Sequence, residues 1–331
     1  MWKHAIAAAL LLAGTVSASA EVSSVTIARQ PSLGHLPLMI MQDRGLLEKE
    51  AAERGIKDLK ASYVTLAGGA AMNDALLSGA IQYAAGGVPP LVLLWSRTKT
   101  TANPVKAVAA MNSMPLLLNT TNPSVKTLKD FTSKDKIALP AVKVSVQAMF
   151  LQMAAEKELG ADKRNELDKF TVTLSHPDGM AAMLAGNEVT AHFTAAPVQE
   201  LELKRPGVTT VLNTYDVLGG PHTFNVVWTT SQFVEKNPKV NEAFLAALED
   251  AIAIINADKS AAAREYVRLA KDSSDVELIE GILNDPQVNF TTTPQAIGKY
   301  VDFMARTKAI PAGAESWKEL FFPAMHAKEG S

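Results

Sequence analysis

The chain has 331 residues, 47% of them hydrophobic, with 32 Lys and Arg against 34 Asp and Glu, a formal net charge of −2, and no cysteine. It is long enough for two lobes around a real core. The lack of any basic block argues against nucleic acid as a partner, and the missing cysteines exclude a disulfide framework, so the core must hold the fold alone.

Residues 1–20 differ in kind from the rest. Lys3 and His4 give a basic start, Ala5 to Val16 is an apolar run, and Ser17-Ala18-Ser19-Ala20 ends it with small residues. The run is too short to cross a bilayer, and the pattern is that of a secretory signal peptide with cleavage expected after Ala20. No cysteine follows it to carry a lipid anchor. The mature protein is therefore expected to be soluble and to reside in the periplasm.

Val22 to Ala28 reads as a strand, with Val25 and Ile27 alternating. A loop with two breakers, Arg29 to His35, leads to a helix over 36–52, and a strand over 59–65 follows. Next comes LAGGAAMNDALLSGAIQYAAGGVPPLVLLW, residues 66–95. Gly68-Gly69 open a helix through Leu77, a strand is expected over 80–85, and Gly86-Gly87 break it before Pro89-Pro90 start another helix. A strand over 105–111 completes a β-α-β-α-β pattern, which predicts a mainly parallel sheet flanked by helices.

Near Asn112 the texture changes. Strands are expected over 115–119, 136–140, 170–174, 189–194 and 208–212. A short helix is expected at 128–131, and others from Val144–Val146 to Leu159, from His176-Pro177-Asp178-Gly179 to Gly186, and from Pro197. After the breakers Gly219-Gly220-Pro221-His222, a strand over 223–230 precedes helices over 238–257, 260–269, 276–284 and 294–305. The economical organisation is one lobe of 21–111 with 218–331 and a second, 112–217, inserted into it. The two crossings, near 112–116 and 213–222, would form a hinge, and ligands favour the cleft between such lobes.

Motifs of catalysis are missing. There is no G-x-S-x-G, H-E-x-x-H or phosphate-binding glycine loop, and the six histidines show no metal-ligand spacing. Neither enzyme chemistry nor a cofactor is expected. What the chain offers is a set of strand-to-helix turns: Ser32 to His35, Gly68-Gly69, Gly86 to Pro89, Val144 to Val146, Pro177 to Gly179, and Thr194 to Pro197. Such turns lie at the carboxyl ends of strands, where ligands bind in doubly wound folds. With almost no fixed charge they suit a small anion or zwitterion held by N–H groups and hydroxyls. The candidate ligand contacts are Ser32, Gly34, His35, Gly69, Gly87, Ser145, Asp178, Thr194 and Asn225. Each has a plainer reading. Ser32, Ser145 and Asp178 are helix-cap residues by type, His35 and His222 read as surface or loop histidines, and Trp95 and Trp228 as core. Arg29 is open between a salt bridge and the cleft rim.

The order of these pieces resembles the periplasmic solute-binding proteins of ABC importers of the nitrate/taurine/aliphatic-sulfonate, NMT1-like type. It is carried by QPSLGHLPLMIMQDRGLLEKE, ALLSGAIQYAAGGVPPLVLL, VKTLKDFTSKDKIALP, SVQAMFLQMAAEKELG and HPDGMAAMLAGNEVTAHFTAAPV. The chain departs from the family's pattern at Gln82-Tyr83, Thr132-Ser133 and Thr190. The resemblance implies an α/β, two-lobed, type II periplasmic binding fold that closes on its ligand as a monomer. The partners it implies are a permease and ATPase at the inner membrane. Nitrate, taurine, an alkyl or aryl sulfonate, an aromatic carboxylate and a pyrimidine precursor all fit it. Other readings are a ligand sensor, or an enzyme like the desulfinases of similar fold, which depend on a cysteine this chain lacks.

Overall fold

The computed structural model describes residues 21–186, 188–271 and 274–331; the predicted leader lies outside them. β1 (Ser24–Arg29) is followed by a 3₁₀ turn, Leu33–His35, and α1 (Leu36–Arg44). The helix expected over 36–52 is broken, because Gly45 takes φ 58° and ψ 35° and separates α1 from α2 (Leu46–Glu53). Glycine enters this left-handed region without a Cβ clash. β2 (Lys60–Thr65), α3 (Gly69–Leu77), β3 (Tyr83–Gly87), α4 (Val88–Thr98) and β4 (Val105–Ser113) come next. Gly86 and Gly87 end β3 rather than break it. They pair with Val226 and Asn225, and the Trp228 ring lies 3.3 Å from where a Gly86 Cβ would stand.

The chain then enters a second sheet with β5 (Leu117–Thr120) and β6 (Ile137–Leu139), followed by α5 (Val146–Leu159) and β7 (Thr171–Thr173). It continues through α6 (His176–Leu184), β8 (Ala191–Phe193), α7 (Val198–Leu203), β9 (Thr209–Asn213) and α8 (Thr214–Leu218). It returns to the first sheet as β10 (Thr223–Thr230), with α9 (Ser231–Lys236), α10 (Pro238–Ala257), α11 (Lys259–Ala270) and α12 (Val276–Asn284). β11 (Asn289–Phe290) and α13 (Ile297–Arg306) follow. α13 starts later than the expected residue 294. Gln295 and Thr223 exchange hydrogen bonds of 2.8 and 3.0 Å, and the Pro294 carbonyl accepts the Ser331 N–H, so this segment is tied elsewhere.

The sheet orders are β11-β4-β10-β3-β1-β2 and β7-β6-β8-β5-β9. By direction the sheets are mainly parallel. β1 to β4 run one way in the first and β6 to β9 one way in the second, while β10, β11 and β5 run against them. The reason is topological. β4 ends at the level where the chain crosses, so β5 starts there and runs away from it; β9 and β10 repeat this in return. The carboxyl ends of both parallel sets therefore face each other. Trp95 and Trp228 are in the core, and Tyr83 stacks on Phe244 with ring centroids 4.0 Å apart. At the amino end of β1, the Glu21 carboxylate accepts the N–H groups of Lys239 and Val240 (3.0 and 2.8 Å) in the first turn of α10, a position where an acidic side chain is favoured.

The two crossings are bonded to each other. Thr214 N–H donates to the Leu116 carbonyl (3.1 Å) and Leu116 N–H donates to Thr214 Oγ1 (2.9 Å). Thr214 Oγ1 is also 2.9 Å from His222 Nε2, His222 Nδ1 is 2.5 Å from the Tyr300 hydroxyl, and that hydroxyl donates to the Thr223 carbonyl at 2.8 Å. One assignment satisfies every group: Thr214 O–H donates to Nε2, and Nδ1–H donates to Tyr300. His222, read as a surface or loop histidine, lies in a loop but is fully buried because this chain of bonds holds it. Tyr300→Phe removes the central link and is expected to lower stability by about 1–2 kcal/mol in urea unfolding. An unchanged midpoint would show that the link contributes nothing.

Candidate functional site

Six strand-to-helix turns meet between the two sheets. From the first sheet come the turns after β1, β2 and β3; from the second come those after β6, β7 and β8. The two sides touch: Leu33 N–H donates to the Ala196 carbonyl at 3.0 Å. Gly87 would place a Cβ 3.2 Å from Val146 Cβ, and Gly68 would place one 3.6 Å from the Pro140 oxygen. These are close approaches between the ends of opposing sheets.

A cavity of 20 Å³ lies at this junction, room for about one water. One wall is Gln30, Gly68, Gly69, Gly87, Pro90 and Phe224; the other is Pro140, Ala141, Ser145, Val146, Gln147 and His176. None of these side chains is charged at neutral pH. The polar groups are two amides, a hydroxyl, an imidazole and the first turns of α3, α5 and α6, whose N–H groups have no intrahelical acceptor. Such a set can hold an anion or a carbonyl by oriented dipoles.

Local chemistry fixes each helix start. Ser145 Oγ accepts Ala148 N–H (3.2 Å) and caps α5. Gly69 would place a Cβ 2.2 Å from Pro90 Cγ, so only glycine lets α3 pack against the α4 ring. Asn73 on α3 joins them further, donating to the Pro90 carbonyl and accepting from Trp228 Nε1. At α6 the cap is Ser175, not the expected Asp178. Ser175 Oγ accepts Asp178 N–H at 3.3 Å and donates to the Asp178 carboxylate at 2.5 Å. The helix starts at His176, one turn earlier than a Pro177–Gly179 turn implies.

The nine predicted contacts divide by place. Gly69, Gly87 and Ser145 line the small cavity; Ser32 lines a neighbouring one. Gly34, His35, Asp178, Thr194 and Asn225 line neither. His35, also read as a surface or loop histidine, is fully buried, with Nδ1 3.1 Å from Ser32 Oγ and Nε2 3.2 Å from the Ala85 carbonyl. Thr194 Oγ1 is 2.6 Å from His176 Nδ1 and so orients a ring that does reach the cavity. Asn225 is fully buried and neither end of its amide has a partner among the described residues. A Cβ on Gly34 would stand 2.3 Å from its Oδ1. Among the polar and aromatic lining residues, Gln30, Gln147, His176 and Phe224 are those that the sequence did not nominate. Gln30 and His176 stand just before the marked turns Ser32 to His35 and Pro177 to Gly179, and Gln147 follows a capping serine by two positions. Phe224 gives no sequence signal, since it arrives on the antiparallel strand β10.

Behind this wall His192 Nδ1 is 2.5 Å from Glu202 Oε1, both fully buried, and Asn119 Nδ2 donates to the same carboxylate at 3.0 Å. Gly179 is bare because His192 Nε2 would lie 2.4 Å from its Cβ. Burial holds the imidazoles of His35 and His222 down at about 4 and that of His176 at about 3, where neighbouring His192 adds to the effect. Among the described residues no group of three His, Cys, Asp or Glu is placed to hold a metal ion.

The NMT1-like family model matches residues 18–271. No curated protein sequence matches the chain. Among solved structures, the alkanesulfonate-binding protein SsuA from Xanthomonas axonopodis pv. citri bound to MOPS is 16% identical, with 92% of this chain and 99% of that one covered and a TM-score of 0.69. The periplasmic aliphatic sulphonate binding protein SsuA from Escherichia coli is 17% identical over 94% and 95%, with a TM-score of 0.64. The periplasmic nitrate-binding protein NrtA from Synechocystis PCC 6803 is 16% identical over 91% and 85%, with a TM-score of 0.65. At these identities the likeness is one of fold, that of the two-lobed periplasmic binding proteins.

The three buried histidines carry a pH dependence. Their folded values lie below the ordinary 6.5, so the unfolded chain binds more protons between about pH 6.5 and 4, and stability falls as pH falls through that window. The expected loss at pH 4.5 is on the order of 2 kcal/mol per histidine relative to pH 7. Urea unfolding at the two pH values reads it, and equal stabilities would refute it.

Proposed function

The chain belongs to the NMT1-like family, and from that membership we propose that it is the periplasmic solute-binding component of an ABC importer. It captures a small anionic or zwitterionic organic solute between its two sheets and delivers it to a membrane permease and its ATPase. The observation that carries this is the chamber itself. First turns of three helices from two sheets converge on one point with no charged side chain between them. That arrangement suits reversible capture, since it supplies oriented dipoles and neutral hydrogen-bonding groups.

At 20 Å³ the chamber is too small for an organic solute. Entry therefore requires the sheets to part, with residues 21–111 and 218–331 moving as one lobe and 112–217 as the other about the paired crossings. The Leu33–Ala196 hydrogen bond is broken in the open form and remade on closure. A ligand favours closure only by the difference in its affinity for the two forms. The contacts proposed for it are Gly69, Gly87, Ser145, Gln147 and His176, with Asn225 turning its unpaired amide to the opened cleft.

A thermal-shift screen over nitrate, taurine, alkyl and aryl sulfonates and aromatic carboxylates tests this. At least one is expected to raise Tm in a concentration-dependent way. Gln147→Ala should weaken that ligand about tenfold, as for one lost buried hydrogen bond. Failure of every member of the screen to shift Tm would remove the proposal.

A further inference from the structure

His35, His176 and His222 are all buried, and each has a hydroxyl against one ring nitrogen. Ser32 Oγ lies 3.1 Å from His35 Nδ1, Thr214 Oγ1 lies 2.9 Å from His222 Nε2, and Thr194 Oγ1 lies 2.6 Å from His176 Nδ1. In two of the three the other ring nitrogen also has a partner within the protein: the Ala85 carbonyl for His35 and the Tyr300 hydroxyl for His222. His176 differs. Its Nε2 meets no partner among the described residues, and its ring lines the 20 Å³ cavity between the sheets. The pattern that closes on protein at His35 and His222 is left open toward the cavity at His176.

Burial fixes where the protons lie. Thr194 is fully buried, and among the described residues its hydroxyl meets only His176 Nδ1. If Nδ1 carried the proton, the hydroxyl hydrogen would be a buried donor with no acceptor, which is costly. If the hydroxyl donates to Nδ1, both groups are satisfied and the ring proton is on Nε2. The ring is neutral, because burial and the neighbouring His192 and His35 rings act against its charge. No carboxylate offsets this, since Glu202 is taken by His192 Nδ1 and Asn119 Nδ2. The main chain of α6 offers little beside the ring. Pro177 has no N–H, and those of Asp178 and Gly179 go to Ser175 Oγ and the Ser175 carbonyl. Of this turn the His176 main-chain N–H is left, so the imidazole N–H doubles what this end of α6 can donate.

We infer that Thr194 is a positioning residue: by donating to Nδ1 it fixes His176 as the Nε2–H tautomer, so that His176 acts toward a solute in the cleft as a hydrogen-bond donor and never as an acceptor. The inference rests on the reading that a solute binds between the two sheets, and it concerns which part of that solute meets α6. An oxygen acceptor faces His176. A group that only donates, such as the ammonium end of a zwitterion, finds no lone pair there and is kept to another part of the cavity.

Nitrogen-15 NMR of the histidine rings in the mature chain tests the tautomer without any solute. At pH 7 the His176 ring is expected as the Nε2–H form, with Nδ1 accepting a hydrogen bond. In Thr194→Val the Nδ1 signal should move to the position of a ring nitrogen that accepts none, and in Thr194→Ser it should stay. An Nδ1–H form in the wild type, or an Nδ1 signal unmoved in Thr194→Val, would overturn the inference. Titration with ethanesulfonate, benzoate, nitrate and taurine reads the consequence. A probe that binds should leave the tautomer unchanged and should bind Thr194→Val about tenfold more weakly, as for one lost buried hydrogen bond, with Thr194→Ser close to wild type. Equal affinity for wild type and Thr194→Val, or conversion of the ring to Nδ1–H on binding, would overturn the role of Thr194 while leaving capture between the sheets intact. Binding of none of the four probes would overturn both.

Discussion

Thr214 sits where the chain makes its second crossing between sheets, and its backbone and hydroxyl both bond Leu116 on the first crossing. Two crossings held side by side would confine the proposed parting of the sheets to a rotation about the line that joins them. The same pairing forces β5 and β10 to run against their sheets, which turns the carboxyl ends of β1–β4 and β6–β9 toward each other. Every helix start at the cleft inherits its direction from that. The buried sequence Thr214–His222–Tyr300 extends the pairing into α13, so the pivot is anchored to a helix of the larger sheet rather than left as bare loop.

The two cavities between the sheets differ in their chemistry. At the helix starts, fixed N–H dipoles and neutral side chains can accept charge without bringing any. At Arg29 a full charge stands beside apolar walls, in a setting where interactions are less screened than in water. His176 belongs to the first kind. It is kept neutral by burial and turned by Thr194, so it offers a hydrogen-bonding edge rather than a cation.

Much of the fold was legible because glycine, proline and periodicity mark turns. Strand β10 and helices α10 and α12 lie where apolar spacing puts them. What local signals could not reach was anything decided across the chain. The Gly45 break depends on a single left-handed residue, and the late start of α13 depends on Thr223 and Ser331. At the cleft, the turns were readable but the inward residues were not. Ser145 announces its helix, yet whether Ser145, Gln147 or Asp178 faces the cavity depends on helix rotation set by the opposing sheet. The buried His35 and His222 looked like loop residues because their partners, Ala85 and Tyr300, lie 50 and 78 residues away.

Glu21 is held in a fixed place, clasped to the first turn of α10. That place is at the amino end of β1, whereas the cleft is at its carboxyl end. Six residues of extended strand separate them, roughly 20 Å. A label placed at Glu21 would therefore sit on the far side of β1 from the turns that meet between the sheets.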